Sequence, residues 1–334
     1  MKCRSIGYIL VLAASILIEF LNRGQSDYCG LISSPGGKLT KTRLIILLAP
    51  LFLLLGCTHS VPGLETQKII KADKQYTYQL YLPESAMTPA PLVVALHRFT
   101  ENGTLMARLS GFNDVAARHG FAVIYPDGPG RRFEAFDNDK RDDAGMILAM
   151  IEDIAQKVSI DQRRIYVTGA SNGGFMVHRL ACQYPDIFAA AAPVMALMPR
   201  YLQKDCSNEP SIPILMIHGT DDSIVKEDAR SIWAGDKYAV LPMDKTVSYW
   251  VHRNHSNREP YRVLLPDRDP DDSTRIERIV YAAGLAETIY YRVKGGGHTW
   301  PGGTERAPTF IVGRTSRDMD ASDVIWEFFA RHHR

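Results

Sequence analysis

Five consecutive residues, Gly169-Ala170-Ser171-Asn172-Gly173, constrain the fold of this chain more than any other segment. They follow a strand-like run, residues 164–168, and precede a helix-like run, residues 174–180. A strand that turns sharply into a helix leaves the serine at its corner exposed and needs small residues on both sides. The pattern therefore predicts a nucleophile elbow at Ser171, although a Gly-x-Ser-x-Gly string also arises by chance in glycine-containing loops.

The first 57 residues differ in character from the rest and are predicted to be a leader. They contain two apolar runs, residues 6–21 and 44–55, separated by a polar stretch. The second run follows three basic residues and is too short to cross a bilayer as a helix, so it predicts the apolar region of a signal peptide.

This run ends in Leu54-Leu55-Gly56-Cys57, which is similar to the lipobox of bacterial lipoproteins. Cys57 is therefore predicted to be the lipidated first residue of the mature protein, with an ordinary signal peptide as the alternative. Residues 1–38 would then be either a first transmembrane segment or an upstream extension, with initiation near Leu39.

Export also bears on the cysteines. Cys3, Cys29 and Cys57 belong to the leader, which leaves Cys182 and Cys206 in the mature domain. In an oxidising compartment these two are predicted to form a disulfide, the alternative being two separate buried thiols. No Cys-x-x-Cys or His-x-x-x-His spacing occurs, so we expect no metal site.

The charge balance argues against a nucleic-acid partner. The whole chain carries 39 basic and 37 acidic residues, and the mature part carries 33 and 35. A domain so close to neutrality lacks the basic excess that phosphate binding requires.

From residue 76 onward, short apolar runs alternate with longer periodic ones, which predicts an α/β fold: a mostly parallel sheet between two layers of helices. We expect residues 58–334 to form one domain, in which residues 235–285 are an irregular insertion. The predicted strands are residues 76–82, 91–97, 122–125, 189–195, 212–217 and 288–293. The predicted helices, besides the elbow helix, are residues 105–119, 142–158 and 320–332.

A serine hydroxyl needs a neutral imidazole to take its proton and a carboxylate to orient that imidazole. One candidate segment, residues 212–222, is a buried strand ending in Asp221 and Asp222. The other, residues 295–303, places His298 in a glycine-rich loop after the last strand. The order Ser, Asp, His is that of the α/β-hydrolase fold, in which functional groups gather at the carboxyl ends of the strands.

With these segments, the chain resembles the polyhydroxybutyrate-depolymerase-like esterases, a secreted α/β-hydrolase group that includes feruloyl and acetyl xylan esterases. The resemblance covers most of residues 76–331. It is carried by the elbow together with Pro91-Leu92-Val93-Val94-Ala95-Leu96-His97, residues 120–128, His218-Gly219-Thr220 and Gly297-His298-Thr299-Trp300-Pro301-Gly302.

Position by position, the resemblance implies Ser171 as nucleophile, Asp222 as acid and His298 as base. Asp221 remains a competitor of Asp222, because either carboxylate of this turn could reach an imidazole. Of the other histidines, we expect His97 and His218 to be structural.

The oxyanion donors are predicted to be the backbone N–H groups of Asn172 and Phe99. Relatives usually carry glycine directly after the histidine that corresponds to His97, whereas this chain has Arg98, a departure that bears on loop geometry and acyl-chain selectivity. Arg98 and Trp300 are predicted to contact substrate. The alternative for Trp300 is that its ring only supports the histidine loop.

The resemblance thus implies an exported serine esterase that needs no cofactor. Its expected substrates are small-molecule or oligosaccharide esters: short-acyl, feruloyl or acetyl sugar esters, or hydroxybutyrate oligomers. The expected location is periplasmic or extracellular, with contact to a membrane only through the lipid anchor or the N-terminal segment. Two alternatives are a non-catalytic carbohydrate-binding lipoprotein on the same fold and a peptidase of that fold.

Overall fold

The computed structural model describes residues 61–334, except residues 137–139, 207–209, 230–238, 257–258 and 283. The predicted leader, with lipidation at Cys57, lies outside these residues. Within the described part of the chain, no helix is both long enough and apolar enough to span a membrane.

One ten-stranded sheet organises the described residues, in the order β1-β2-β4-β3-β5-β6-β7-β10-β9-β8. The strands span Leu64–Lys71 (β1), Lys74–Tyr81 (β2), Ala90–Leu96 (β3), Ala122–Pro126 (β4), Ile160–Ala170 (β5), Ala190–Val194 (β6), Ile214–Gly219 (β7), Tyr261–Leu264 (β8), Arg275–Tyr281 (β9) and Thr288–Lys294 (β10). The strands from β4 to β10 along this order are parallel, and antiparallel strands flank them on both sides. The predicted α/β fold with a mostly parallel sheet is confirmed.

Helices cover both faces of the sheet. They span Gly103–Ser110 (α1), Phe112–His119 (α2), Asp143–Lys157 (α3), Asn172–Gln183 (α4), Leu202–Asp205 (α5), Met243–Arg253 (α6), Thr309–Val312 (α7) and Ala321–Phe329 (α8). Buried residues of α3, α4 and α6 share one apolar core, and those of α1, α2 and α8 share the other. Because alternate residues of a strand point to opposite faces, Leu92 and Val94 belong to the first core and Val93 to the second.

Two predicted boundaries are wrong. Residues 105–119 are not one helix, because Gly111 adopts a left-handed conformation with φ of 67° that ends α1 before α2 begins. Residues 235–285 are not simply irregular: their described parts include α6, β8 and β9. Strand β1 was not predicted at all, because seven of its eight residues are exposed or only partly buried and the apolar signal is weak.

The described residues include one disulfide, which joins Cys182 near the end of α4 to Cys206 just after α5. The Cα atoms lie 4.7 Å apart, and the two cysteines are 24 residues apart in the chain. This is the pair that the sequence predicted, and the bond ties the elbow helix to the segment beyond β6.

Candidate active site

Ser171 occupies a strained corner between β5 and α4. Its φ and ψ are 54° and −114°, and only 9% of the residue is exposed. A non-glycine residue with positive φ is held there only when its surroundings enforce that conformation. Here the Ser171 N–H donates to the carbonyl oxygen of Val194 at the end of β6, 2.9 Å away. The predicted elbow is therefore present.

The flanking glycines are required by close packing against the end of β3. A Cβ atom added to Gly173 would lie 2.4 Å from the carbonyl oxygen of Leu96, and one added to Gly169 would lie 2.8 Å from Gly173 itself. Side chains do not fit at such distances. The two glycines thus bring the elbow against the loop that leaves β3.

Asp222 and His298 form a buried pair at the ends of two neighbouring parallel strands. β7 and β10 pair in register up to Gly219 and Val293, and the two side chains come from the loops that follow. The Nδ1 of His298 lies 2.7 Å from Oδ2 of Asp222. Both residues are 3% exposed, so water competes little for this hydrogen bond.

Backbone groups fix the other oxygen of the Asp222 carboxylate. Its Oδ1 accepts hydrogen bonds from the N–H groups of Ile224 and Val225, at 2.9 and 2.7 Å. Burial alone would raise the pKa of Asp222, but His298, His218 and the N–H of Val225 together hold this pKa below its ordinary value. The carboxylate is therefore ionised and oriented at neutral pH.

The environments of Asp221 and Asp222 differ in the structure. Asp221 is exposed, and its Oδ1 accepts only the hydroxyl of Thr220, 3.1 Å away. His218 is fully enclosed, and burial lowers the pKa of its imidazole. Its Nε2 donates to the carbonyl oxygen of Val225 at 2.8 Å, as expected of a structural histidine.

Glycines again allow the histidine loop to approach its neighbours. The N–H of His298 donates to the carbonyl oxygen of Val312 at 2.5 Å. A Cβ atom on Gly297 would lie 2.1 Å from that same oxygen, and one on Gly219 would lie 2.3 Å from the carbonyl oxygen of Gly296. The loop is thus wedged between the end of β7 and helix α7.

The histidine loop crosses the sheet edge towards the elbow. It leaves β10, which is separated from β5 by β6 and β7, yet the N–H of Thr304 donates to Leu109 in α1, at 3.1 Å. Helix α1 packs against β3 and β4, on the far side of β5. The segment that follows His298 therefore extends from β10 to a helix that packs beyond β5 in the sheet order.

No hydrogen bond joins the Oγ of Ser171 to His298 in the described residues, although Asp222 and His298 are in direct contact. Catalytic hydrogen bonds are often long without substrate and shorten in the Michaelis complex. The structure thus brings the predicted acid and base together and puts the predicted nucleophile on the same edge of the sheet.

The two predicted oxyanion donors, Asn172 and Phe99, lie on segments that meet at the end of β3. Asn172 is the first residue of α4, so its backbone N–H is one of those that a helix leaves without an internal partner. The side chain of Asn172 makes two hydrogen bonds to the backbone of Phe133. Its Oδ1 accepts from the N–H of Phe133 at 2.7 Å, and its Nδ2 donates to the carbonyl oxygen of Phe133 at 2.9 Å. This pairing was not predicted from the sequence.

His97 holds the neighbouring loop in place. Its Nε2 accepts the N–H of Gly128 at 2.9 Å, and its Nδ1 donates to the carbonyl oxygen of Arg98 at 2.7 Å. The imidazole is fully buried, and burial lowers its pKa, so the ring is neutral and structural, as expected. Phe99, the predicted second donor, follows in the same loop.

The predicted contact between Trp300 and substrate is wrong. The indole is completely buried, its Nε1 donates to Oγ of Ser322 at 3.2 Å, and Phe112 packs edge-on against it. A ring enclosed on all sides cannot stack on a sugar, so Trp300 supports the histidine loop from beneath.

The structure also contradicts the predicted contact between Arg98 and substrate. Its guanidinium binds the carboxylates of Glu101 and Glu305, and the side chain is only 13% exposed. Glu305 was missed because it lies 207 residues from Arg98 in the chain and no local pattern connects them. Glu101 is only three residues from Arg98, and this pair was not predicted from the sequence.

Two other features do not belong to this site. A cavity of about 600 Å³ lies against α8 and is lined by residues such as Leu215, Tyr291 and Phe328; Ser171, Asp222 and His298 are not among its lining residues. Among residues 61–334 as described, no three His, Cys, Asp or Glu side chains are grouped so that they could hold a metal ion.

Comparison with known proteins identifies the relatives of the chain. Residues 76–197 match the sequence profile of the family described as esterase PHB depolymerase. The putative esterase NocK of Nocardia uniformis subsp. tsuyamanensis is 27% identical over 280 residues, which cover 78% of this chain and 81% of NocK. Poly(3-hydroxyalkanoate) depolymerase C of Paucimonas lemoignei is 36% identical over 123 residues, 34% of this chain and 30% of that protein.

A probable acetylxylan esterase A of Aspergillus fumigatus is 26% identical over 224 residues, 60% of this chain and 58% of that protein. Among solved structures, the acetyl xylan esterase from Aspergillus awamori superposes with a TM-score of 0.54 at 18% identity. That match covers 70% of this chain and 94% of the other.

The fold and the family match together define a carboxylic ester hydrolase with the α/β-hydrolase fold. Within that class, residues 76–197 match the PHB-depolymerase esterase family, and the chain is similar to a poly(3-hydroxyalkanoate) depolymerase and to a probable acetylxylan esterase. The resemblance read from the sequence is confirmed.

Proposed function

We propose that the chain is an exported serine esterase that hydrolyses carboxylic esters through an acyl-enzyme intermediate on Ser171. One observation carries this proposal: a buried Asp222–His298 pair lies on the same sheet edge as a serine held in a strained elbow. A strained serine and a buried acid–base pair are costly to maintain, which favours catalysis over the alternative of a non-catalytic binding protein.

Proton transfer follows from the tautomer of His298. Because its Nδ1 donates to the Asp222 carboxylate, its Nε2 carries the lone pair and can accept the hydroxyl proton of Ser171. The Ser171 oxygen then attacks the ester carbonyl carbon. The imidazolium that forms is stabilised by the buried, ionised Asp222.

The tetrahedral intermediate places negative charge on the former carbonyl oxygen. The backbone N–H groups of Asn172 and Phe99 are assigned as the donors to that oxygen. Collapse of the intermediate breaks the bond to the leaving alcohol, which takes the proton from His298. A water molecule, deprotonated by His298, then attacks the carbonyl carbon of the acyl-enzyme. The bond to the Ser171 oxygen breaks, that oxygen takes the proton back from His298, and the acid is released.

The substrate class is proposed from the relatives. They are named as acetylxylan esterases, a feruloyl esterase and a poly(3-hydroxyalkanoate) depolymerase. We therefore propose short-acyl, acetyl or feruloyl sugar esters, or soluble hydroxybutyrate oligomers, as substrates. The proposed mechanism uses side chains, backbone N–H groups and water.

Export is proposed from the leader together with the disulfide. The apolar run ending at Cys57 has the pattern of a lipoprotein signal, and a disulfide persists only in an oxidising compartment. The Cys182–Cys206 bond supports this proposal. Intact mass of the native protein tests it, because retention of residues before Cys57 would rule out lipidation there.

Hydrolysis of p-nitrophenyl acetate and butyrate by the wild type and by Ser171→Ala tests the catalytic proposal. We expect the substitution to lower kcat about 10⁶-fold, the effect of removing the nucleophile in a comparable triad. Equal rates in the two proteins would refute the serine mechanism.

A substrate screen then identifies the ester. Methyl ferulate, acetylated xylan and hydroxybutyrate oligomers differ in both acyl group and alcohol, so their kcat/KM values rank the proposed classes. If none is hydrolysed and a sugar still binds, the carbohydrate-binding alternative is favoured.

A further inference from the structure

Three charged side chains connect the two loops that frame the candidate active site. Nη1 of Arg98 donates to Oε2 of Glu305, and its Nη2 donates to Oε1 of Glu101, both at 2.6 Å. The exposed fractions of the three side chains are 13, 8 and 6% in the order Arg98, Glu305, Glu101. We call this group the Arg98 clamp.

Glu305 is itself held firmly on the histidine loop. Its Oε1 accepts the backbone N–H groups of Arg306 and Ala307, both at 2.8 Å. The adjacent Thr304 is tied to α1 through the carbonyl oxygen of Leu109. The Glu305 carboxylate, which binds Arg98, is therefore held in position by backbone hydrogen bonds, seven residues beyond His298.

On the other side, Arg98 and Glu101 close the loop that carries Phe99. The N–H of Glu101 donates to the carbonyl oxygen of Arg98 at 3.2 Å, and the Nδ1 of His97 donates to the same oxygen. Both the backbone and the side chain of Arg98 therefore hold this loop. Phe99, the assigned oxyanion donor, lies between the residues that are held.

The charges of the clamp do not balance, which makes Arg98 essential to it. One guanidinium faces two carboxylates, and Oε2 of Glu101 is buried with no hydrogen-bond partner among the described residues. Burial opposes a charged guanidinium, but the two glutamates raise the pKa of Arg98 above its ordinary value. Without Arg98, two buried carboxylates would repel each other and the loops would separate.

We propose that the Arg98 clamp positions the oxyanion hole: it fixes the backbone N–H of Phe99 relative to the loop of His298. Arg98 is thus a positioning residue and not a substrate contact, since its guanidinium is bound by two carboxylates and only 13% of its side chain is exposed. This inference rests on the proposed function. It explains how the loop that follows His97, with a bulky arginine at its start, can still present Phe99 as the second oxyanion donor.

The planar fork of arginine suits this role. Its two terminal nitrogens bind two carboxylates at once in a fixed plane, whereas a lysine ammonium on a flexible stem supplies one mobile charge. Arg98→Lys therefore keeps the charge and loses the geometry, which separates positioning from simple electrostatics.

The test measures kcat and KM for p-nitrophenyl butyrate with Arg98→Gly, Arg98→Lys and Glu305→Gln. A displacement of about 1 Å at a catalytic group costs about 100-fold in rate. We therefore expect Arg98→Gly to lower kcat about 10- to 100-fold, with KM within about twofold of the wild type. Arg98→Lys should recover less than about a tenth of the lost rate, and Glu305→Gln should lower kcat about tenfold.

A second measurement isolates the oxyanion hole. A trifluoromethyl ketone forms a tetrahedral adduct with the serine, so its inhibition constant should rise by the same factor by which kcat/KM falls. The matched control is Arg262→Ala, which breaks a partly exposed ion pair with Glu277 between β8 and β9, two strands that lie on the other side of β10 from β5. It should change neither kcat nor the inhibition constant.

Three results would overturn the proposal. The first is a rise in KM at unchanged kcat in Arg98→Gly, which would make Arg98 a substrate contact. The second is full recovery of kcat in Arg98→Lys. The third is an inhibition constant that does not change in proportion to kcat/KM. Glu305→Gln keeps the size of the side chain and so reports on the clamp even if Arg98→Gly does not fold. A wild type that hydrolyses no ester, or whose activity survives Ser171→Ala, would refute the proposed function itself.

Discussion

Asp222→Asn is the substitution that most directly tests the proposed mechanism, because it changes one proton position and almost nothing else. Asparagine has the same shape as aspartate, and its amide oxygen can still accept the N–H groups of Ile224 and Val225. Its NH₂ group then faces Nδ1 of His298, where the carboxylate oxygen lies at 2.7 Å in the wild type.

The consequence is a reversed tautomer. An amide NH₂ can only donate, so Nδ1 of His298 must accept, and the ring proton moves to Nε2. The Nε2 atom then has no lone pair with which to take the proton of Ser171. The protein stays folded and the ring stays in place, but general-base catalysis is lost.

The magnitude follows from the same change in other Ser-His-Asp enzymes, which lowers kcat about 10⁴-fold. At 1.36 kcal/mol for each factor of ten, this corresponds to about 5.4 kcal/mol of lost transition-state stabilisation. Asp222 is 3% exposed, so little water is available to replace its negative charge beside the imidazolium. We therefore expect the full effect in kcat.

The assay is the steady-state hydrolysis of p-nitrophenyl butyrate at neutral pH, with thermal unfolding measured in parallel. Asp221→Asn is the matched control, since Asp221 is adjacent and exposed, and its carboxylate accepts a hydrogen bond from the hydroxyl of Thr220 and not from His298. We expect Asp221→Asn to change kcat less than about twofold. A kcat for Asp222→Asn within about tenfold of the wild type, or an equal loss in Asp221→Asn, would refute the assignment.

Two further predictions concern stability. Replacing Cys182 and Cys206 by alanine should lower the free energy of unfolding in urea by about 3.5 kcal/mol, because the disulfide closes a loop with a sequence separation of 24 residues; a loss below about 1 kcal/mol would contradict this. Burial lowers the pKa of His178 to about 3, and Nδ1 of this histidine accepts the indole N–H of Trp250. The unfolded chain binds this proton near pH 6.5, so stability should fall as the pH drops from about 6.5 towards about 3. Between about pH 7 and pH 5 the wild type should lose about 2 kcal/mol more than His178→Gln, and equal losses in the two proteins would refute the role of His178.

The elbow could be predicted because its chemistry is local. Within the seventeen residues 164–180, an apolar strand, two glycines around Ser171 and a helical run all indicate one backbone path. The central strands were equally clear, because strands buried on both faces are continuous apolar runs. At the edge of the sheet this signal fails, and β1 was missed.

The choice between Asp221 and Asp222 shows where local patterns stop. Both carboxylates follow the same strand, and either could turn towards an imidazole. The backbone N–H groups of Ile224 and Val225 bind Asp222, and the register of β7 with β10 brings His298 to that carboxylate. Those contacts depend on strand pairing, which the sequence of the turn does not contain.

By itself, the sequence determined the strand–serine–helix corner, the chain order of nucleophile, acid and base, and the layered α/β architecture. Each of these depends on backbone dihedrals or on hydrophobic period within a short window. Only the tertiary structure decided that Trp300 is enclosed and that Arg98 binds Glu305 instead of substrate. Burial and ion pairing are set by whichever distant loops the folded sheet brings together, so no window of neighbouring residues can specify them.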